Sequence, residues 1–330
     1  MIFRKTPRPK RPDDKKPVLI AIILLLGLFL AALAQAVMGN SRAEVQQAVP
    51  KAPLAQISSG APPAAPASLQ AAIERLASQA QGKNGVLVRS VEDDWVAGHK
   101  GATTFSQGSL RRLWLGAALL DAVDRGELSL DQKVPLLAAR RNGRQPRERL
   151  GDLLDRAVHA NDREAQDHIL DGLMGPAGIA RWLEEKGIDE VTYGPSYRDL
   201  ARLSARARPS FNRNPPDGAT PDGMAFGLSQ LFAGNLLREN STQLLLSFFT
   251  PQSVMAGQET VPGWNILYLT GETIGSDKRP IAASGAALVR SRAGRRFIVS
   301  VFADGPADAA GRRDRLLNGA VAALEGSEMR

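Results

Sequence analysis

Residues Val18 to Ala34 form a run of 17 side chains without a polar group, and Gln35 is the only interruption before Met38. At 1.5 Å of rise per residue, roughly 20 such residues cross a hydrocarbon core about 30 Å thick. A helix apolar on every side has no face to offer water, so the run divides the chain between different environments. Seven basic residues precede it (Arg4, Lys5, Arg8, Lys10, Arg11, Lys15 and Lys16) against only Asp13 and Asp14. That bias predicts a cytoplasmic N-terminus and an exported body. The expected layout is a basic tail over 1–16, a membrane anchor over 17–38 and a body in the periplasm or exterior, held to the cytoplasmic (inner) membrane by a single pass. Ala34-Gln35-Ala36 leaves a second route open, a cleaved signal peptide and a secreted body.

The same tail accounts for most of the charge. The 330 residues carry 42 Lys and Arg against 34 Asp and Glu, a net +8, but beyond residue 16 the balance is 35 to 32. A nearly neutral body with 5% aromatics does not read as a nucleic-acid binder. The pairs Arg111-Arg112, Arg140-Arg141 and Arg295-Arg296 read accordingly as solvated surface. No cysteine is present, which removes thiol nucleophiles, thiolate metal sites and disulfides. There is no GxGxxG, Walker A, HExxH or GxSxG motif. His99, His159 and His168 are the only histidines. Neither a metal nor another cofactor is expected.

Residues 39–67 contain Pro50, Pro53, Pro62, Pro63 and Pro66 among Ala, Gln and Ser, with no periodic apolar face, and read as an extended linker. From Ser68 the pattern becomes globular. Leu69, Ala72, Ile73 and Leu76 recur at helical spacing behind Ser68 as a capping residue. Val86-Leu87-Val88 and Trp95-Val96 read as strands, a helical block follows, and Trp264–Leu269, Ala282–Val289 and Phe297–Phe302 read as three more. A last helix spans about Ala309 to Leu324. This order predicts an α+β sandwich over 68–330, a five-stranded antiparallel sheet covered by the N- and C-terminal helices, with the helices between forming a subdomain.

Within that body, FSQGSLRRLWLGAALLDAVDRGELSLDQKV (Phe105 to Val134) places Ser109 four residues after Phe105, ahead of an apolar helix closed by Asp124-Arg125-Gly126-Glu127-Leu128-Ser129-Leu130-Asp131. The segment resembles the nucleophile region of class A β-lactamases and the related penicillin-binding proteins. Further segments follow in that family's order: Asn161-Asp162-Arg163 at its Ser-Asp-Asn loop, Gly175-Pro176 at a helix start, Thr220-Pro221-Asp222-Gly223-Met224, and Leu269-Thr270-Gly271 at its Lys-Thr-Gly strand. The resemblance spans about 69 to 323 and implies the β-lactamase/transpeptidase-like fold, an architecture of the same α+β layout.

It also implies what is missing. In that family a Ser oxygen attacks an amide carbonyl after a neutral amine or carboxylate takes its proton. Ser109 is kept, but Arg112 stands three residues on, and a guanidinium remains protonated. None of the ten lysines has a Ser three positions before it. The relay Ser of the Ser-Asp-Asn loop is Asn161, its Asn is Arg163, and the Lys of Lys-Thr-Gly is Leu269. The family's deacylating Glu aligns with Gly194 in Tyr193-Gly194-Pro195. With these groups replaced together, the expected role is a non-catalytic β-lactamase-like domain. It would bind a cell-envelope protein or a peptidoglycan-like ligand through the former cleft at Arg112, Asn161, Arg163, Thr270, Gly271 and Glu272. Two alternatives stay open: a divergent serine hydrolase acting through Ser109 with Glu272 as base, and a purely architectural role. Read without the resemblance, Ser109 is a helix-capping hydroxyl, and Arg112 and Arg163 pair with acids such as Glu272 or Asp162.

Overall fold

The computed structural model describes residues 63–137, 145–206, 215–251, 263–275, 278–305 and 308–328. Contacts divide the chain into two units, Met1–Lys51 and Ala52–Arg330, and every described residue belongs to the second. The tail expected at 1–16, the anchor at 17–38, most of the linker and Arg140-Arg141 lie outside the described residues. Among the described residues no helix is long and apolar enough to cross a membrane.

Five strands form an antiparallel sheet, as the element order predicts. In spatial order they are β2 (Val96–His99), β1 (Lys83–Ser90), β10 (Arg296–Asp304), β9 (Pro280–Arg290) and β8 (Asn265–Ile274). A two-residue strand, β7 (Thr250–Pro251), lengthens the β8 edge opposite Leu267 and Tyr268 only. The two central strands β9 and β10 are buried along nearly their whole length, so β-branched and small residues replace strict alternation. One face is covered by α1 (Ala67–Gln79) and α9 (Ala309–Glu328). Leu69 and Ile73 of α1, with Leu316, Leu317 and Ala320 of α9, pack there on Val86, Val88, Tyr268, Val299 and Val301. Ser68 is not the cap of α1: the helix begins at Ala67 after Pro66, and no side chain closes its first turn. Pro66 serves instead, because its fixed φ enters the helix without a donor to satisfy.

Against the opposite face lies the helical block. Its centre is α2 (Arg112–Asp124), on which every residue from Arg112 to Ala122 is buried. A helix buried on all sides has no polar stripe, which is why this segment reads as a continuous apolar run. Small residues let the neighbours close in. A Cβ on Gly227 of α7 (Pro221–Ala233) would come within 2.5 Å of Trp114, and one on Gly116 within 2.8 Å of Val158. The helix α3 (Leu150–Val158) thereby ends beside the start of α2, and α4 (Arg163–Ile169) begins five residues later. The helix α6 (Tyr197–Arg206) follows the loop that carries Gly194.

Candidate functional site

Ser109 sits on a tight turn, Gly108–Arg111, that leads into α2. Two features of the sequence fix the turn. Gly108 has φ +53, and a Cβ there would stand 2.5 Å from the carbonyl carbon of Glu272. Gln107, fully buried, donates through Nε2 to the carbonyls of Thr192 (2.8 Å) and Gly218 (3.1 Å) and accepts from the Trp114 indole (3.0 Å). The turn is therefore clamped from below by a side-chain amide and pressed directly onto strand β8 from above.

That press brings the predicted residues together. Gly271 abuts the turn so closely that a Cβ would lie 2.2 Å from the backbone nitrogen of Leu110. The Glu272 N–H donates to the Ser109 hydroxyl at 3.1 Å. Ser109 is thus not a helix cap: no side chain caps the turn or α2, and the hydroxyl faces the strand edge. Since side chains alternate along a strand, Glu272 shares its face with Tyr268 and Ile266, which pack beneath α9. Its carboxylate accordingly meets Arg313 of α9, 3.4 Å away, while its N–H serves Ser109. The carboxylate named as a candidate base is directed to the far side of the strand.

Arg112 and its neighbour Arg111 are buried at 7% and 1% exposure, so the solvated-surface reading fails for this pair. Arg295 and Arg296 are half-buried and paired with Asp93, Glu328 and Glu92, and Arg296 also donates to the Phe232 carbonyl. The Arg112 Nε donates to the Val158 carbonyl (2.8 Å), and Nη1 bridges the carbonyls of Ser109 (2.8 Å) and Thr270 (2.9 Å). It pairs with neither Glu272 nor Asp162: Glu272 holds Arg313, and Asp162 holds Arg156 at 2.6 Å. Burial pushes the Arg112 guanidinium down to about 10, with Tyr197 opposing the shift. It remains a cation at neutral pH and has no lone pair for a proton.

Asp162 caps α4 by accepting from the Glu164 and Ala165 N–H groups, and its salt bridge with Arg156 holds it below the usual carboxylate range against the opposing effect of burial. Asn161 takes the left-handed conformation at φ +54, which Asn tolerates, and accepts from Gln166 at 3.2 Å. Arg163 is exposed and lies over the Tyr197 ring, 5.1 Å from its centroid. Among the described residues, the contacts of Asn161 and Arg163 are thus with Gln166 and Tyr197, not with Ser109.

The sequence reading missed the support beneath the loop. Arg111 donates to the carbonyls of Gly194 and Pro195, both at 2.8 Å, and faces the Asp217 carboxylate at 3.6 Å. Its guanidinium also lies over the rings of Tyr193 (4.2 Å) and Tyr197 (5.3 Å). Burial pushes the Asp217 carboxyl up to about 6, with Arg111 pulling it back. Burial likewise pushes Tyr193 up to about 12 and raises Tyr197, so both phenols stay protonated. Asp167 fixes the first turn of α6 by accepting from the N–H groups of Tyr197 (2.7 Å) and Arg198 (3.3 Å). The one available signal was positional: two of the chain's three tyrosines flank Gly194-Pro195.

His168 is buried and accepts from the Leu137 N–H through Nδ1 at 2.9 Å, while His159 is exposed and stacks on Phe248. Among the described residues no group of three or more His, Cys, Asp or Glu is placed to hold a metal ion.

A β-lactamase of Proteus vulgaris is 23% identical over 189 residues, which is 55% of this chain and 61% of that relative. The chain thus spans about three-fifths of the length of the first curated relative it matches. Among solved structures, a β-lactamase from Chitinophaga pinensis superposes with a TM-score of 0.65 at 19% identity, covering 79% of this chain and 99% of that one. A β-lactamase from Burkholderia vietnamiensis gives 0.63 at 22%, covering 81% and 98%. A class A representative from Bacteroides cellulosilyticus gives 0.63 at 16%, covering 79% and 97%. At these identities the superpositions speak for the fold. The model of the beta-lactamase enzyme family matches residues 68–324, most of the chain, and the chain belongs to that family.

Proposed function

We propose that the domain is a non-catalytic member of this family that binds a cell-envelope partner, a peptidoglycan-like ligand or a protein, in the cleft between Ser109, Thr270 and Arg163. One observation carries the reading. The side chain three residues after Ser109 is a buried guanidinium whose Nε and Nη1 are committed to three backbone carbonyls. Activating a serine requires a neighbour able to accept its proton. Arg112 cannot, and Glu272, the carboxylate nearest in sequence to the strand edge, is engaged by Arg313. Removing one member of a catalytic set generally costs about as much as removing several. Membrane attachment through residues 17–38 and a periplasmic or exterior location belong to the same proposal, supported by the basic residues before the apolar run.

A divergent serine hydrolase is the second reading, favoured by the backbone N–H of Glu272, which lies beside the Ser109 hydroxyl at 3.1 Å and is thereby available near the reacting centre. Prolonged incubation of the full chain with a fluorescent penicillin separates the two. The non-catalytic reading expects no covalent label above that of Ser109→Ala. Stoichiometric labelling that vanishes in Ser109→Ala would establish the hydrolase reading instead.

A further inference from the structure

His168 is a titratable side chain that the Ser109 cluster does not use, and it lies in the last turn of α4 with only 5% of its surface exposed. Its Nδ1 accepts from the Leu137 N–H at 2.9 Å. A backbone N–H can only donate, so the nitrogen facing it carries a lone pair. The ring proton therefore sits on Nε2, 3.5 Å from the exposed Glu164 carboxylate. Leu137 lies at the outer end of a small arm made by β4 (Lys133–Pro135) and β5 (Arg147–Arg149). Its ladder has three residue pairs, extended by the Leu136 N–H to the Pro146 carbonyl at 2.8 Å. A two-stranded ladder of this length does not hold itself, so the arm depends on what it packs against. Two polar links tie it to α4. Glu148 reaches the Asp162 cap through Arg156, at 2.7 and 2.6 Å, and Leu137 reaches His168.

A proton on His168 acts on the second link alone. An imidazolium has no lone pair, so its Nδ1–H would face the Leu137 N–H, donor against donor. The cation keeps Glu164 on its other side, which leaves the arm as the part that yields. Leu137 is 41% exposed, so water takes over its N–H at little cost. The other charged groups on the surrounding elements are committed elsewhere. Arg156 of α3 holds Glu148 and Asp162, Arg112 of α2 is turned to carbonyls, and Asp167 accepts from the Tyr197 and Arg198 N–H groups. Tyr197 of α6 stays protonated, and Asp171, just beyond α4, is exposed.

We infer that the β4–β5 arm is a pH-sensitive clasp, held on α4 by neutral His168 and released when the ring takes a proton. The contact sets the sign: closing requires the neutral ring, so protons favour the open arm. The helix it grips begins at Arg163, directly after Asn161 and Asp162, so release loosens the element next to the proposed cleft. The clasp works whether or not Ser109 reacts, so penicillin labelling and arm opening fail independently.

The test is hydrogen–deuterium exchange of the full chain in an uncharged detergent from pH 7.5 to 5.0, each observed rate divided by the intrinsic rate at that pH. Protection of peptides covering 133–137 should fall about tenfold, the effect of one lost hydrogen bond, while peptides of β10 hold theirs. His168→Asn, whose Oδ1 accepts where Nδ1 did but takes no proton in this range, should keep the arm protected throughout. Glu164→Gln leaves the core untouched and removes the partner of the cation, so opening should move to lower pH by about half a unit. Arm protection independent of pH, a fall shared equally by β10, the same fall in His168→Asn, or a midpoint unmoved or raised by Glu164→Gln overturns the inference.

Discussion

At the scale of single residues, two neighbouring arginines in Ser109-Leu110-Arg111-Arg112 do different work because of what their burial is matched with. Arg111 meets a carboxylate, Asp217, and with it holds the Gly194-Pro195 loop; Arg112 meets only carbonyls. The Asp217 carboxyl carries a measurable consequence. Its pKa rises from 3.8 to about 6 because burial penalises the charged form, with Arg111 offsetting part of that cost. The folded state therefore holds the proton more tightly than the unfolded chain. The stabilisation is complete below 3.8 and is lost as pH rises through about 6. Asp217→Asn removes this titration, so the stability difference between wild type and variant should change between those limits, by at most about 1.4 kcal/mol per pH unit. Urea unfolding at closely spaced pH values checks it, and a difference that does not vary with pH would show that Asp217 titrates normally.

At the scale of elements, the site depends on how closely a turn and a strand approach. At the junction of the Ser109 turn and β8, Gly108 packs against the Glu272 backbone and Gly271 against Leu110, and neither has room for a Cβ. Gly271→Ala should push β8 away from Leu110, lengthen the Glu272 N–H to Ser109 contact, and cost about 1–3 kcal/mol, the usual penalty for overpacking. Chemical unfolding measures the cost; a variant as stable as wild type would mean that the strand edge yields freely. Neither glycine was readable as a packing device from the sequence, since a glycine in a strand pattern equally signals a bulge. The strands and terminal helices were readable because burial repeats along them: Phe297–Phe302 lies within β10, and the helix expected over Ala309–Leu324 within α9. The partners of charged side chains were not readable. Pairing Arg112 with Glu272 was reasonable along the sequence, yet strand alternation sends that carboxylate under α9, to Arg313. Arg111 misled for the same reason: adjacency of two arginines carries no information about the carbonyls and rings that enclose them.

At the scale of the molecule, the family fold begins close to where the proline-rich segment ends, the family match starting at residue 68 and the first described helix at Ala67. What precedes it determines where any binding takes place. A body near neutral charge has little electrostatic reason to adhere to a membrane surface, so the proposed membrane association rests on the apolar run from Val18 to Ala34. Retention of that run predicts that the full chain stays with the membrane fraction through alkaline carbonate extraction. Its intact N-terminus should be protected on the cytoplasmic side while protease added from outside cuts in the linker over 39–67. Replacing the seven basic residues of the tail by glutamine should disturb this orientation without affecting the fold downstream, because the positive-inside bias resides there. The alternative has its own signature, a soluble species whose first residue follows Ala36. N-terminal sequencing of the mature protein decides between them, and a soluble mature form beginning after Ala36 would overturn the proposed retention of the anchor.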